Sequence, residues 1–277
     1  MAQASWLVQK RGWWVLGVAY LFRLQSFMLS PTASWKGLLK VDILNVMGVA
    51  MAGAAWCWAR GSSPRARAAW MLVPAAACVL LGQYAPGWWW PTLLGDRLQG
   101  YIRPVGAGGN FMLFPWAGFV FLGAWLGQVL SEPRDAAAER TFHLRLGLGG
   151  LAIFAAGFAG QYLPAFTPYS TFWLTSTSWF VIRLGVMTVL LALAWLWAQR
   201  PGAARWSPLL VFGQTSLFVY WVHVEIVYGF VTYPIRHEFS IAGALVAYAV
   251  FTVMMLGLAV MWQRRERGPL IPASLRT

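Results

Sequence analysis

Charge is scarce in this chain, and negative charge scarcest. Of 277 residues only 10% are charged and 59% are hydrophobic, whereas an ordinary soluble domain has about 25% and 45–50%. A water-soluble globule is thereby excluded. Eight Asp and Glu stand against twenty-one Lys and Arg, for a formal charge of +13. In a soluble protein that imbalance would point to nucleic acid. Here the basic residues fall in short gaps between long apolar runs, as in the loops of a polytopic membrane protein, and no nucleic-acid partner is expected. Cysteine is nearly absent: Cys57 and Cys78 both lie inside apolar runs without metal-ligand spacing, so neither a disulfide framework nor a zinc site is credible. Soluble-enzyme signatures are missing too. GAGGN at 106–110 lacks the strand and the Lys-Ser or Lys-Thr ending of a phosphate loop, and neither a serine elbow nor a metal motif occurs. With no internal repeat, nothing points to a repeat-built transporter.

What the chain has is length of apolar helix. Crossing the hydrocarbon takes about 20 apolar residues, and eight segments approach that: 12–29, 42–59, 69–85, 111–130, 144–163, 179–198, 208–230 and 241–262. The third is the weakest, being short and interrupted by Pro74. The first keeps Arg23 and ends without a small-residue cleavage site, so it reads as a retained helix. The expected fold is an all-α, multi-pass helix bundle, one domain over 1–277, embedded in membrane lipid. Taking alternate sides, one face receives Lys10, Arg11, Arg60, Arg65, Arg67, Arg134, Arg140, Arg145, Arg200, Arg205, Arg264, Arg265, Arg267 and Arg276; the other receives Lys36, Lys40, Arg97, Arg103 and Arg236. The positive-inside rule makes the first face cytoplasmic and places both termini there.

Polar residues inside the spans are costly and therefore candidates for function. Arg23, Asp42, Arg183, His223 and Glu225 all fall in the outer halves of their segments, which predicts one polar cluster opening to the extracytoplasmic side. Asp42 and Asn45 share a helix face at a spacing of three, as do Ser216, Tyr220 and His223 at four and three. Arg23 and Gln25 are opposed, so one of them at most faces the centre. Glu225 aligns with Trp221 and Tyr228 instead of His223. Chemically, a neutral imidazole can take a proton, a carboxylate can orient it, and an arginine can hold a developing oxyanion: His223, Asp42 and Arg23 fill these catalytic roles. Asn45, Tyr220 and Arg183, with Tyr101 and Arg103 from the long loop 86–110, are the substrate-binding candidates. Each has a structural reading as well: an ion pair for Arg23 with Asp42, an interhelical contact for His223, snorkelling for Arg183 and Glu225. A connection as long as 86–110 is functional or disordered. The uncharged, aromatic and hydroxyl-rich loop 164–178 reads either as an interfacial belt or as a surface that stacks on a sugar. His143 and His237 fall in loops, as solvated side chains. Gly147, Gly149 and Gly150 permit a close helix contact within one chain or between two, so the oligomeric state stays open.

AYLFRLQSF, LLKVDILNVMGVA at 38–50, FPWAGFVFLGAWLG at 114–127 and FGQTSLFVYWVHVEIVYG at 212–229 resemble bacterial relatives of heparan-alpha-glucosaminide N-acetyltransferase, a family of multi-helix membrane acyltransferases. VDILN and YWVH are the most specific blocks. The resemblance implies transfer of an acyl group, typically acetyl from cytosolic acetyl-CoA, to an amine or hydroxyl of an extracytoplasmic carbohydrate at an inner membrane, without a metal. The basic loops have the charge to receive the coenzyme's phosphates, although the positive-inside rule explains them with no ligand. Such relatives begin with further helices that carry an Asp-Arg-Gly-type segment and a histidine to which acetyl transfer is assigned. This chain starts after them, so a truncated, inactive member is one alternative and a transporter or flippase subunit another.

Overall fold

The computed structural model describes residues 2–29, 37–105, 111–132, 134–164, 166–200, 207–228, 232, 234 and 238–267. Lys36, Arg205, Arg236, His237, Arg276 and the GAGGN stretch lie outside them, as do the side chains of Arg97 and Arg267. Every regular element among the described residues is helical: α1 Ala2–Leu29, α2 Ile43–Arg60, α3 Pro64–Tyr84, α4 Gly95–Gln99, α5 Leu113–Leu130, α6 Ala136–Gly160, α7 Thr177–Ala198, α8 Pro208–Gln214, α9 Ser216–Tyr228 and α10 Ile241–Arg267. Each expected span overlaps a helix. Five stretches are long and apolar enough to cross a membrane: Pro64–Gly87, Leu113–Leu130, Ala136–Gly160, Thr177–Ala198 and Ile241–Arg265. α8 with α9 makes a sixth only if the bent pair is one span, and α1 and α2 have the length of the five but not their apolarity. Many large apolar side chains on these helices face outward, Leu148, Leu190, Leu245 and Val253 among them, as expected where lipid is the solvent.

The chain divides into two compact units, Met1–Leu24 with Ser34–Leu196, and Gln25–Ala33 with Trp197–Thr277. In the first, α2, α3 and α5 close on a core of small and flexible residues, including Ala54, Cys57, Met71, Ala75, Cys78 and Phe121. α1 lies antiparallel on α2. A Cβ on Gly12 would stand 2.8 Å from Gly48 O, and one on Gly48 equally close to Gly12 O, so only glycine lets the backbones touch. Ser5 Oγ ties the far end by donating to Ala55 O at 2.7 Å. α6 and α7 pack the same way: Gly150 meets Val189, while a Cβ on Gly185 would strike Phe154 N at 2.4 Å. Of the expected glycine group, Gly147 and Gly150 thus face α7, and Gly149 faces open space.

Capping fixes where these helices start. Ser63 accepts from Ala66 N with Pro64 in the first turn, which is why α3 begins ahead of the apolar run; Pro74 sits inside it without ending it. Asp135 likewise caps α6, and this moves His143 from the expected loop onto a helix. Its Nδ1 lies 3.0 Å from Glu139 O, and its ring stacks on Trp195 at 4.6 Å. The connection after α3 is ordered in part: turns of 3-10 helix at Ala85–Gly87 and Trp90–Leu94 lead into α4, Trp88 stacks on Trp90 at 5.7 Å, and Leu113 N donates to Tyr101 O at 2.8 Å.

In the second unit the expected straight span 208–230 is broken. α8 and α9 meet at 88°, with Thr215 at φ −108° and ψ 20°. Gly213, Thr215 and Ser216 are weak helix formers, and Thr215 Oγ1 donates to Val211 O at 2.8 Å, a back-bond that bends helices. Trp262 of α10 stacks on Phe218 at 4.6 Å, Gln263 bonds Gln214, and Trp221 Nε1 donates to Gln25 Oε1 at 2.8 Å.

Candidate functional site

One end of the first unit brings several polar side chains together. The end of α1, the start of α2 and the loop before α5 meet there, because Tyr101 hydrogen-bonds Tyr20 at 2.9 Å. Gln83, near the end of α3, bonds Thr177 at the start of α7.

Asp42 opens α2 as its N-cap. Its Oδ1 accepts from Leu44 N at 2.9 Å and Asn45 N at 3.2 Å, and Asn45 Oδ1 accepts from Asp42 N at 3.0 Å. This is a capping box with Asn in the third position. The remaining oxygen, Oδ2, stands 3.1 Å from Arg23 Nη2. The contact is an ion pair by distance, but its N–H is not aligned as a hydrogen bond. Both carboxylate oxygens are therefore engaged, and Asp42 positions Arg23 instead of serving as a base. Asp42 is 6% exposed and Asn45 0%.

The box also decides which end of the Asn45 amide is free. Oδ1 is taken, so Nδ2 faces the cluster with the Tyr101 hydroxyl as its neighbour, and neither Nδ2 nor Arg23 Nε is aligned on an acceptor as a hydrogen bond. An enclosed donor without a partner costs about 1–3 kcal/mol. The Asn45 amide lies close enough to the Tyr101 hydroxyl to favour its ionised form, outweighed by burial, the Tyr20 bond and the Asp42 carboxylate, which together push the Tyr101 hydroxyl above its ordinary range. The electrostatic complement of this arrangement is a partly negative oxygen.

Arg183 is held differently. Its guanidinium carbon lies 4.5 Å from the Trp116 ring centroid and 4.6 Å from that of Trp179, and among the described residues no carboxylate pairs with it. The same end carries a cavity of about 520 Å³, lined among others by Gln83, Gln161, Ser176, Ser178, Phe166 and Phe172. Part of the hydroxyl content of loop 164–178 is already taken: Thr167 Oγ1 donates to Gln83 O of α3 at 2.7 Å, and Thr175 Oγ1 accepts from Thr171 N within the loop at 2.9 Å.

In the second unit, His223 Nδ1 lies 3.2 Å from Val219 O. That contact selects the tautomer with the proton on Nδ1 and leaves Nε2 as the basic nitrogen. Tyr220 meets the imidazole edge to face at 5.7 Å.

No family model matches the chain, and no curated protein or solved structure does. Function is therefore argued from side chains. Of the expected site residues, Arg23, Asp42, Asn45 and Tyr101 come together. Arg103 instead holds its own loop, donating to Trp88 O. Arg183 joins the tryptophans, and His223 with Tyr220 belongs to the second unit. The opposition of Arg23 and Gln25 holds, one turning to Asp42 and the other to Trp221. Sequence reasoning missed Tyr20, although its spacing of three from Arg23 puts it on the same face. It also missed Trp116 and Trp179, which carried no signal beyond their nearness to helix ends.

Proposed function

We propose that the chain is a multi-pass acyltransferase of an inner membrane, with eight spans and both termini cytoplasmic, that moves an acetyl group from acetyl-CoA to an amine or hydroxyl of an extracytoplasmic carbohydrate. The supporting observation is the pair of enclosed donors with no aligned acceptor, Arg23 Nε and Asn45 Nδ2, at one end of the first unit. An acyl carbonyl that gains negative charge in the transition state is the ligand such donors favour. In this reading Asp42 holds Arg23 in place and Tyr101 contacts the acceptor, while His223 of the second unit stays the candidate general base through Nε2. Donor and acceptor identities follow the likeness of the VDILN and YWVH blocks to the heparan-glucosaminide acetyltransferase relatives.

The break between α8 and α9 favours a second reading, a transporter, since broken helices line substrate paths. One experiment separates the two. Membranes holding wild type, Asn45→Ala or His223→Ala are given labelled acetyl-CoA, and glycan-bound label is counted at matched protein amount. Removing an oxyanion donor is expected to lower the rate about 10²-fold, and removing the base by about 10²–10⁴-fold. Incorporation equal in all three discards the acyltransferase. Labelled sugar entering proteoliposomes without acyl donor establishes the transporter.

A further inference from the structure

Arg183 lies six residues from the first residue of α7, about 9 Å along the helix. Trp179 is one turn back toward that start, so the side chain runs along the helix toward its beginning, as long side chains on helices do. Trp116 occupies the matching place near the start of α5. Indoles at helix ends mark the level of lipid headgroups, and the guanidinium lies among them.

The two rings are themselves braced. Trp116 packs on Phe111 at 5.0 Å and on Phe119 at 6.0 Å; Trp179 packs on Trp173 at 4.7 Å and on Phe172 at 5.5 Å. The guanidinium between them is thus fixed before any ligand arrives. The indole nitrogens of both tryptophans are enclosed without an acceptor, and among the described residues nothing accepts a hydrogen bond from Arg183. The cluster consists of donors alone. A planar guanidinium presents its N–H groups in a fork that matches the oxygens of a phosphate.

We propose that Arg183, clamped by Trp116 and Trp179, binds a phosphate-bearing anion, and the depth of the clamp favours a phospholipid headgroup over a soluble phosphate. The inference stands apart from acyl transfer and survives if that reading fails, because its readout is binding and not turnover.

The test uses the full chain, purified and delipidated in detergent. Phosphatidylglycerol, a phosphate-free galactosyl diacylglycerol with the same chains, and soluble glycerol phosphate are each titrated, and bound ligand is read by native mass spectrometry. Wild type is expected to retain phosphatidylglycerol over the galactolipid, and Arg183→Gln to lose about ten-fold of that retention, the worth of a charge-assisted bond. Trp179→Phe, which keeps a ring but loses the larger indole face, is expected to fall between them. Glycerol phosphate competing as well as the lipid would assign the anion to a soluble source. Equal retention of both lipids by wild type, or no loss in an Arg183→Gln protein that elutes as wild type does, overturns the proposal. Should that variant aggregate, Arg183→Met takes its place, and retention equal to wild type again overturns it.

Discussion

Arg23 and Arg183 stand at the same end of the first unit, and they are accommodated by opposite means. Arg23 has an anion, Asp42, at 3.1 Å; Arg183 has two aromatic faces and no anion among the described residues. A lone arginine in a span costs about 2.5–3.5 kcal/mol on insertion scales, and each cation–π contact returns about 0.5–2 kcal/mol. The two rings thus roughly balance the cost of Arg183 while leaving its charge uncancelled. Around Arg23 the charge is cancelled, but the geometry leaves Nε and the Asn45 amide without an aligned acceptor. In the readings proposed above, the first region receives a carbonyl-like oxygen and the second a full anion.

The largest effect that sharpens this contrast is expected at Asp42. Asp42→Ala removes the ion pair and the cap together, costing about 3–5 kcal/mol for the stranded charge and about 1 kcal/mol for the cap. Asp42→Asn retains the cap and loses only the pair. Unfolding in detergent should rank wild type above Asp42→Asn above Asp42→Ala, and coincidence of the two variants would show that the pair contributes the whole effect. Arg183→Met should change stability by less than about 1 kcal/mol, since it removes cost and compensation together; a loss as large as at Asp42 would mean that an unseen anion partners Arg183. Tyr101→Phe should cost about 1 kcal/mol for its bond to Tyr20. It carries a pH signature as well. The folded-state Tyr101 titrates above the ordinary tyrosine value, chiefly through burial, so its contribution is complete below about pH 10 and declines as pH rises beyond it. Thermal melts from pH 8 upward should steepen less for Tyr101→Phe than for wild type.

The helices were legible because apolar length is a direct signal in this composition: every expected segment overlaps one. Their ends were less so. Asp135 and Ser63 begin helices inside polar sequence, which hydropathy alone reads as loop, and His143 was misplaced for that reason. Asp42 and Asn45 were read as two groups sharing one helix face, yet the same spacing of three before an apolar run is the mark of a capping box, and the Oδ1 atom of each turns to the backbone. The pairing of Arg23 with Asp42 was foreseen from the cost of isolated charge. The clamp on Arg183 was not, since nothing local in sequence joins Trp116 to residues 179 and 183. The corner at Thr215 had only the faint cue of four small or polar residues in an apolar run.

That corner has a consequence for the bilayer itself. α9 has 13 residues, about 20 Å of helix, beside a hydrocarbon layer of about 30 Å. With α8 turned by 88°, the pair reaches little further along the α9 axis than α9 alone, so a crossing made by the pair would require the lipid around it to thin. Such thinning would shorten the distance between the two aqueous faces, and Thr215 stands at the bend that sets it.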